Sequence, residues 1–90
     1  MYGFIVVEDS FSTQVAAIAE AINLILRLRG LNGSANWYWD DTPDGYVEHG
    51  VKIDLSGLSP ETAIEHLRSI WQLVVNQYSD QEVRLEIPRQ

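Results

Sequence analysis

Hydrophobic residues recur along this chain with a strand-like period of two or a helix-like period near 3.6. Their order is strand, helix, strand, strand, helix, strand, and few architectures accept it. "YGFIVVE" (2–8) is a β-branched and aromatic run that is apolar on both faces, as a central strand requires. From about residue 12 to 29, Val15, Ile18, Ile22 and Ile25 recur at helical spacing, with Ser10 or Ser12 predicted as N-cap and Gly30 as terminator. After "GLNGS", Ala35, Trp37 and Trp39 alternate with Asn36, Tyr38 and Asp40 in a second strand. "TPDG" (42–45) suits a type I turn, so the chain should reverse into "YVEHGVKIDL". There His49, Val47, Val51, Ile53 and Leu55 share one face, while Tyr46, Glu48, Gly50, Lys52 and Asp54 share the other. Ser59 as N-cap, Pro60 at the first helical position and Glu61 in the first turn open a second helix. Its buried face runs from Ala63 to Tyr78, and Leu73 sits off that face. "QEVRLEIPRQ" alternates Val83, Leu85 and Ile87 against Glu82, Arg84 and Glu86, a fourth strand that stops at Pro88.

The order βαββαβ resembles the split βαβ arrangement called ferredoxin-like: an α+β sandwich in which a four-stranded antiparallel sheet carries two helices on one face. The resemblance spans nearly the whole chain, and residues 1–90 are expected to form a single domain. Because this fold hosts many unrelated activities, the function has to be read from surfaces.

Composition removes several classes of function. Thirteen acids against six bases leave a formal charge of -7, a field that repels phosphate backbones and anionic membranes. Direct nucleic-acid binding is therefore not expected. RNA-recognition domains of similar architecture also need a basic surround and a Lys/Arg-Gly-aromatic pattern on strand three, and "YVEHGVKID" has neither. The absence of cysteine removes disulfides, thiolate catalysis and the paired-cysteine metal loop of metal carriers that resemble this architecture. Small acylphosphatases of the same fold carry a glycine-rich anion loop with an arginine after strand one, where this chain has "EDSFST". The start "MYGFIVVEDS" lacks the basic, long apolar character of a secretion signal, and no apolar run approaches the roughly 18 residues of a membrane span. The chain is expected to be soluble and cytoplasmic.

Candidate chemistry is thin. Asp40, Thr42, Asp44, Gly45 and Glu48 match early positions of a calcium loop, but the position of the bidentate glutamate is Val51. His49 falls on the core-facing side of strand three and His66 on the flank of helix two, so both read as packing or surface residues. Glu8 and Asp9 are chain neighbours whose side chains diverge. No catalytic residue, cofactor or metal site is expected.

Two features exceed what the fold needs. "ANWYWDDTPDGYVEHG" (35–50) gathers two tryptophans, two tyrosines, three aspartates and a glutamate into one hairpin. Trp37 and Trp39 are expected to place part of their area in the core, which leaves Tyr38, Asp40, Asp41, Asp44, Tyr46 and Glu48 as partner-binding residues. Helix one carries a second apolar stripe, Ala17, Ala21, Leu24 and Leu28, beside the one a sheet-packed helix requires. That stripe either packs on helix two or beneath the "RGLNG" loop, or it meets a partner or a second copy of the chain.

The expected function is a non-catalytic acidic protein-interaction module using the acidic-aromatic hairpin and the apolar helix stripe. In its sharper form it is an inhibitor, resembling small phage anti-defence proteins, that presents carboxylates as a nucleic-acid mimic to a basic nucleic-acid-binding protein. The alternatives are a regulatory domain resembling the ACT type, binding a small ligand at a homodimer interface, and a self-assembling structural subunit. "EDSFST" lacks the glycine that such ligand-binding turns commonly carry.

Overall fold

A computed structural model describes residues 1–41 and 47–88, with the backbone alone at positions 41 and 47. The elements are β1 (Tyr2–Val7), α1 (Ser12–Leu28), β2 (Asn32–Asp41), β3 (Val47–Ser56), α2 (Pro60–Gln77) and β4 (Val83–Glu86). The strands form one antiparallel sheet in the order β2-β3-β1-β4, the ferredoxin-like arrangement. The predicted "TPDG" turn lies outside the described residues; β2 and β3 pair from Asp41↔Val47 down to Asn32↔Ser56.

Both helices cover one sheet face. Ile5 and Val7 of β1, Val51, Ile53 and Leu55 of β3, and Val83 of β4 join Val15, Ile18, Ile22 and Leu26 of α1 and Leu67, Ile70 and Val74 of α2 in one core. The two faces of β1 explain its uniformly apolar sequence: Val6 is also buried, but on the side away from the helices, between Gly50 and Arg84. Trp71 donates from Nε1 to the Val83 carbonyl at 3.0 Å and fastens α2 to β4.

The ends of the helices follow the sequence unevenly. Gly30, at φ 67°, receives the chain as α1 ends, with Gly30 N–H donating to Arg27 O and Leu31 N–H to Leu26 O in a Schellman pattern. Ser59 caps α2 by accepting from the Thr62 N–H, with Pro60 behind it. The N-terminus of α1 differs from expectation. Its N-cap is Phe11, which makes no side-chain cap bond; Ser12 is already helical, and the Ser10 hydroxyl donates to the Val7 carbonyl at 2.7 Å. Asp9, in the left-handed region at φ 55°, makes the turn between strand and helix, and Ser10 follows it as a buried residue. Strand two also starts earlier than its pattern indicated, because Asn32–Ser34 pair with Asp54–Ser56. Gly33 makes that pairing feasible, since a Cβ there would fall 2.4 Å from the Asp54 carbonyl oxygen.

Candidate protein-interaction site

α1 lies over β2 and β3, and α2 lies on the β4 side of the sheet. Their separation leaves a valley whose floor is core and whose walls join core-flanking Ile25 and Tyr78 to residues the fold did not need. Ala17, Ala21 and Ile25 form one wall and Leu73, Gln77 and Tyr78 the other, around a groove of about 320 Å³ open to solvent. Leu24 and Leu28 lie outside that lining but share the helical stripe of Ala17 and Ala21, at 49% and 78% exposure. The second stripe of α1 therefore does not pack on α2. At the C-terminal end of α1 a polar strap crosses to the other helix: Arg29 approaches His66 Nδ1 at 3.1 Å and donates to Ser69 Oγ at 2.8 Å. Ala17 and Ala21 are thus brought together with Leu73, the residue that looked misplaced on α2, whereas Leu24 and Leu28 do not line the groove. Leu24, Leu28 and Leu73 together expose apolar area on the order of 300 Å².

The hairpin residues divide between the two faces of the sheet. Tyr38, Asp40 and Glu48 belong to the face without helices. Tyr38 crosses the strand pair onto Gly50, where a Cβ would sit 3.0 Å from its hydroxyl and 2.4 Å from the Ile5 carbonyl oxygen. Its ring meets Phe4 edge-on at 5.3 Å, and Phe4 meets Tyr2 edge-on at 5.6 Å. Lys52 completes the row 4.7 Å above the Tyr2 ring. Burial, then the charges of Glu86 and Glu48, push the Tyr38 phenol up to about 12, so it remains a neutral donor at physiological pH.

Glu48 is engaged within the molecule. Arg84 Nη2 lies 3.0 Å from Glu48, 3.4 Å from Glu8 and 3.8 Å from Glu86, and the Glu48 hydrogen bond leads the causes holding the guanidinium charged. Asp40 is exposed. Asp44 and Tyr46, and the side chain of Asp41, lie outside the described residues.

Trp37 and Trp39 face the helix side, as their alternation with Tyr38 implied, opposite Val51 and His49. Their burial is less than expected: 44% and 57% of their areas are exposed, and neither belongs to the core. The physical reason is position. β2 is the edge strand, so nothing in the sheet flanks them on the outer side. The alternation was visible in the sequence, whereas the edge location depends on long-range strand order.

Among the described residues no cluster of three or more His, Asp or Glu is placed to hold a metal ion, and no helix is long and apolar enough to cross a membrane. Compared with known proteins, the chain matches no family model, no curated protein and no solved structure.

Proposed function

We propose that this protein is a non-catalytic acidic protein-interaction module that receives an amphipathic helix of a partner in the groove between α1 and α2. The observation that carries this reading is a groove lined mainly by apolar side chains, Leu73 among them, with the exposed Leu24 and Leu28 on the same helical stripe as its Ala17 and Ala21. An amphipathic helix fills such a groove with apolar anchors at i, i+3, i+4 and i+7. The partner's flanks are basic, because a chain of net charge -7 attracts a cationic ligand and speeds its encounter. The test is a fluorescence binding series with 18-residue amphipathic helical peptides of net positive, zero and negative charge. Positive peptides should bind the native protein, and the Leu24→Glu and Leu28→Glu variants should lose that binding while remaining folded. Equal binding by the variants would refute the assignment.

The inhibitor form of the same reading uses the acidic turn. Exposed Asp40 supports it, whereas Glu48 is already committed to Arg84. Replacing Asp40, Asp41 and Asp44 together by asparagine should abolish binding to a basic nucleic-acid-binding protein with the fold retained; unchanged binding would eliminate that form.

A further inference from the structure

The two edges of the sheet are treated differently by the sequence. β4 has four residues, carries Arg84 and Glu86, and is followed within two positions by Pro88, features that discourage further strand pairing. β2 has ten residues and contains no lysine, arginine or proline. Its acids, Asp40 and Asp41, sit at one end, and two exposed tryptophans occupy the middle.

The outward hydrogen-bonding groups of β2 can be assigned. Asn23 of α1 reaches over the edge and satisfies both backbone groups of Ala35: its Nδ2 donates to Ala35 O at 2.7 Å, and its Oδ1 accepts from Ala35 N–H at 2.9 Å. Ala35 therefore points its backbone away from β3. In an antiparallel ladder this direction alternates, so Trp37 and Trp39 point the same way. The other side of β3 agrees, since Leu55 exchanges bonds with Met1 and so directs its backbone toward β1, not β2. The N–H and C=O groups of Trp37 and Trp39 have no partner among the described residues. A side-chain amide mimics a neighbouring strand at one rung, and the next two rungs meet no partner among the described residues, beneath two exposed indoles.

We propose that this open edge pairs with the β2 edge of a second copy of the chain, antiparallel about a dyad at Tyr38. This register sets Trp37 against Trp39 of the other copy and the reverse, closing four backbone hydrogen bonds and placing four indoles side by side on the helix-bearing face. The charges are compatible with it: Asp40 falls opposite Asn36 and Asp41 opposite Ala35, with no acid facing an acid. Moving the dyad to Trp37 would require Ala35 to release Asn23. Moving it to Trp39 brings the two Asp40 side chains to diagonal positions about 7–8 Å apart, within a Debye length. Asn23 is thus a register stop as well as an edge cover. The dimer joins two sheets into one of eight strands, and it uses a surface separate from the α1–α2 groove.

Light scattering over a hundredfold concentration range, up to about millimolar, tests this. The native mass should rise from 10.2 kDa toward twice that value. Trp39→Pro removes an outward N–H that the β2–β3 ladder does not use, a position where an edge strand accepts proline. It should stay monomeric at every concentration with a native far-UV spectrum, and Trp39→Lys, a second variant in case the proline unfolds the chain, should do the same. Asn23→Ala uncovers Ala35, adds a rung at each end and should tighten association at least tenfold. A native protein that remains at 10.2 kDa throughout, a dimer that survives Trp39→Lys, or a dimer abolished by Leu24→Glu would each overturn the proposal.

Discussion

Two leucine-to-glutamate changes on α1 should cost this protein little stability, whereas a truncation on the core side of the same helix should cost it much more. Ile22 is 1% exposed at the centre of the core, and shortening it to alanine removes buried methyl groups and leaves a cavity, costing about 2–5 kcal/mol. Leu28 is 78% exposed, so only about a fifth of the roughly 1.5–3 kcal/mol from full burial of a leucine is realised there, on the order of 0.5 kcal/mol. Glutamate is nearly as good a helix former as leucine, so propensity adds little to that loss. Leu24, at 49% exposure, should lie between the two, near 1 kcal/mol. For a domain of this size each kcal/mol moves the melting temperature by about 4–8 °C. Leu28→Glu should therefore shift it by no more than a few degrees, and Ile22→Ala by roughly 10 °C or more. Urea denaturation followed by far-UV circular dichroism measures all three differences on one scale. A loss of 2 kcal/mol or more for Leu28→Glu would show that the second stripe is core, and the groove reading would fall with it.

Other expectations concern the open sheet face. With the Tyr38 phenol raised from 10.0 to about 12, the fold favours its neutral form. That contribution to stability is complete below pH 10 and is lost as the pH rises through about 12. The difference in phenolate absorbance between the native protein and Tyr38→Phe should accordingly appear only near pH 12, and a difference centred near pH 10 would contradict the burial of Tyr38. Gly50→Ala forces a Cβ to 2.4 Å from the Ile5 carbonyl oxygen and against the Tyr38 ring. It should cost about 1–3 kcal/mol in a thermal or urea melt, and a neutral effect would mean the strands are not so closely apposed.

The architecture was legible because each segment's period matched the element it forms: Val15, Ile18 and Ile22 line one side of α1, and Val51, Ile53 and Leu55 one side of β3. The Gly30 terminator and the Ser59 and Pro60 start of α2 were legible for the same local reason. What the sequence concealed is non-local. Ser10 looked like a cap, but Asp9 adopts the left-handed turn and Ser10 bonds back to Val7, which no propensity specifies. Trp37 and Trp39 showed their shared face but not that β2 forms an edge. Leu73 was conspicuous on its own helix, yet its meaning came only when the topology set it across a groove from Ala17 and Ala21. The acidic hairpin looked like one surface and divides into two, because alternation sends Tyr38 and Trp39 to opposite sides.

The central claim is that the valley between α1 and α2 takes a partner's helix. It is tested most directly by an amide chemical-shift map recorded during titration with a cationic amphipathic helical peptide at 0.15 M salt. Saturable shifts should concentrate at Ala17, Ala21, Leu24, Leu28, Leu73 and Gln77. Shifts scattered over the acidic surface, or none at millimolar peptide, would contradict it.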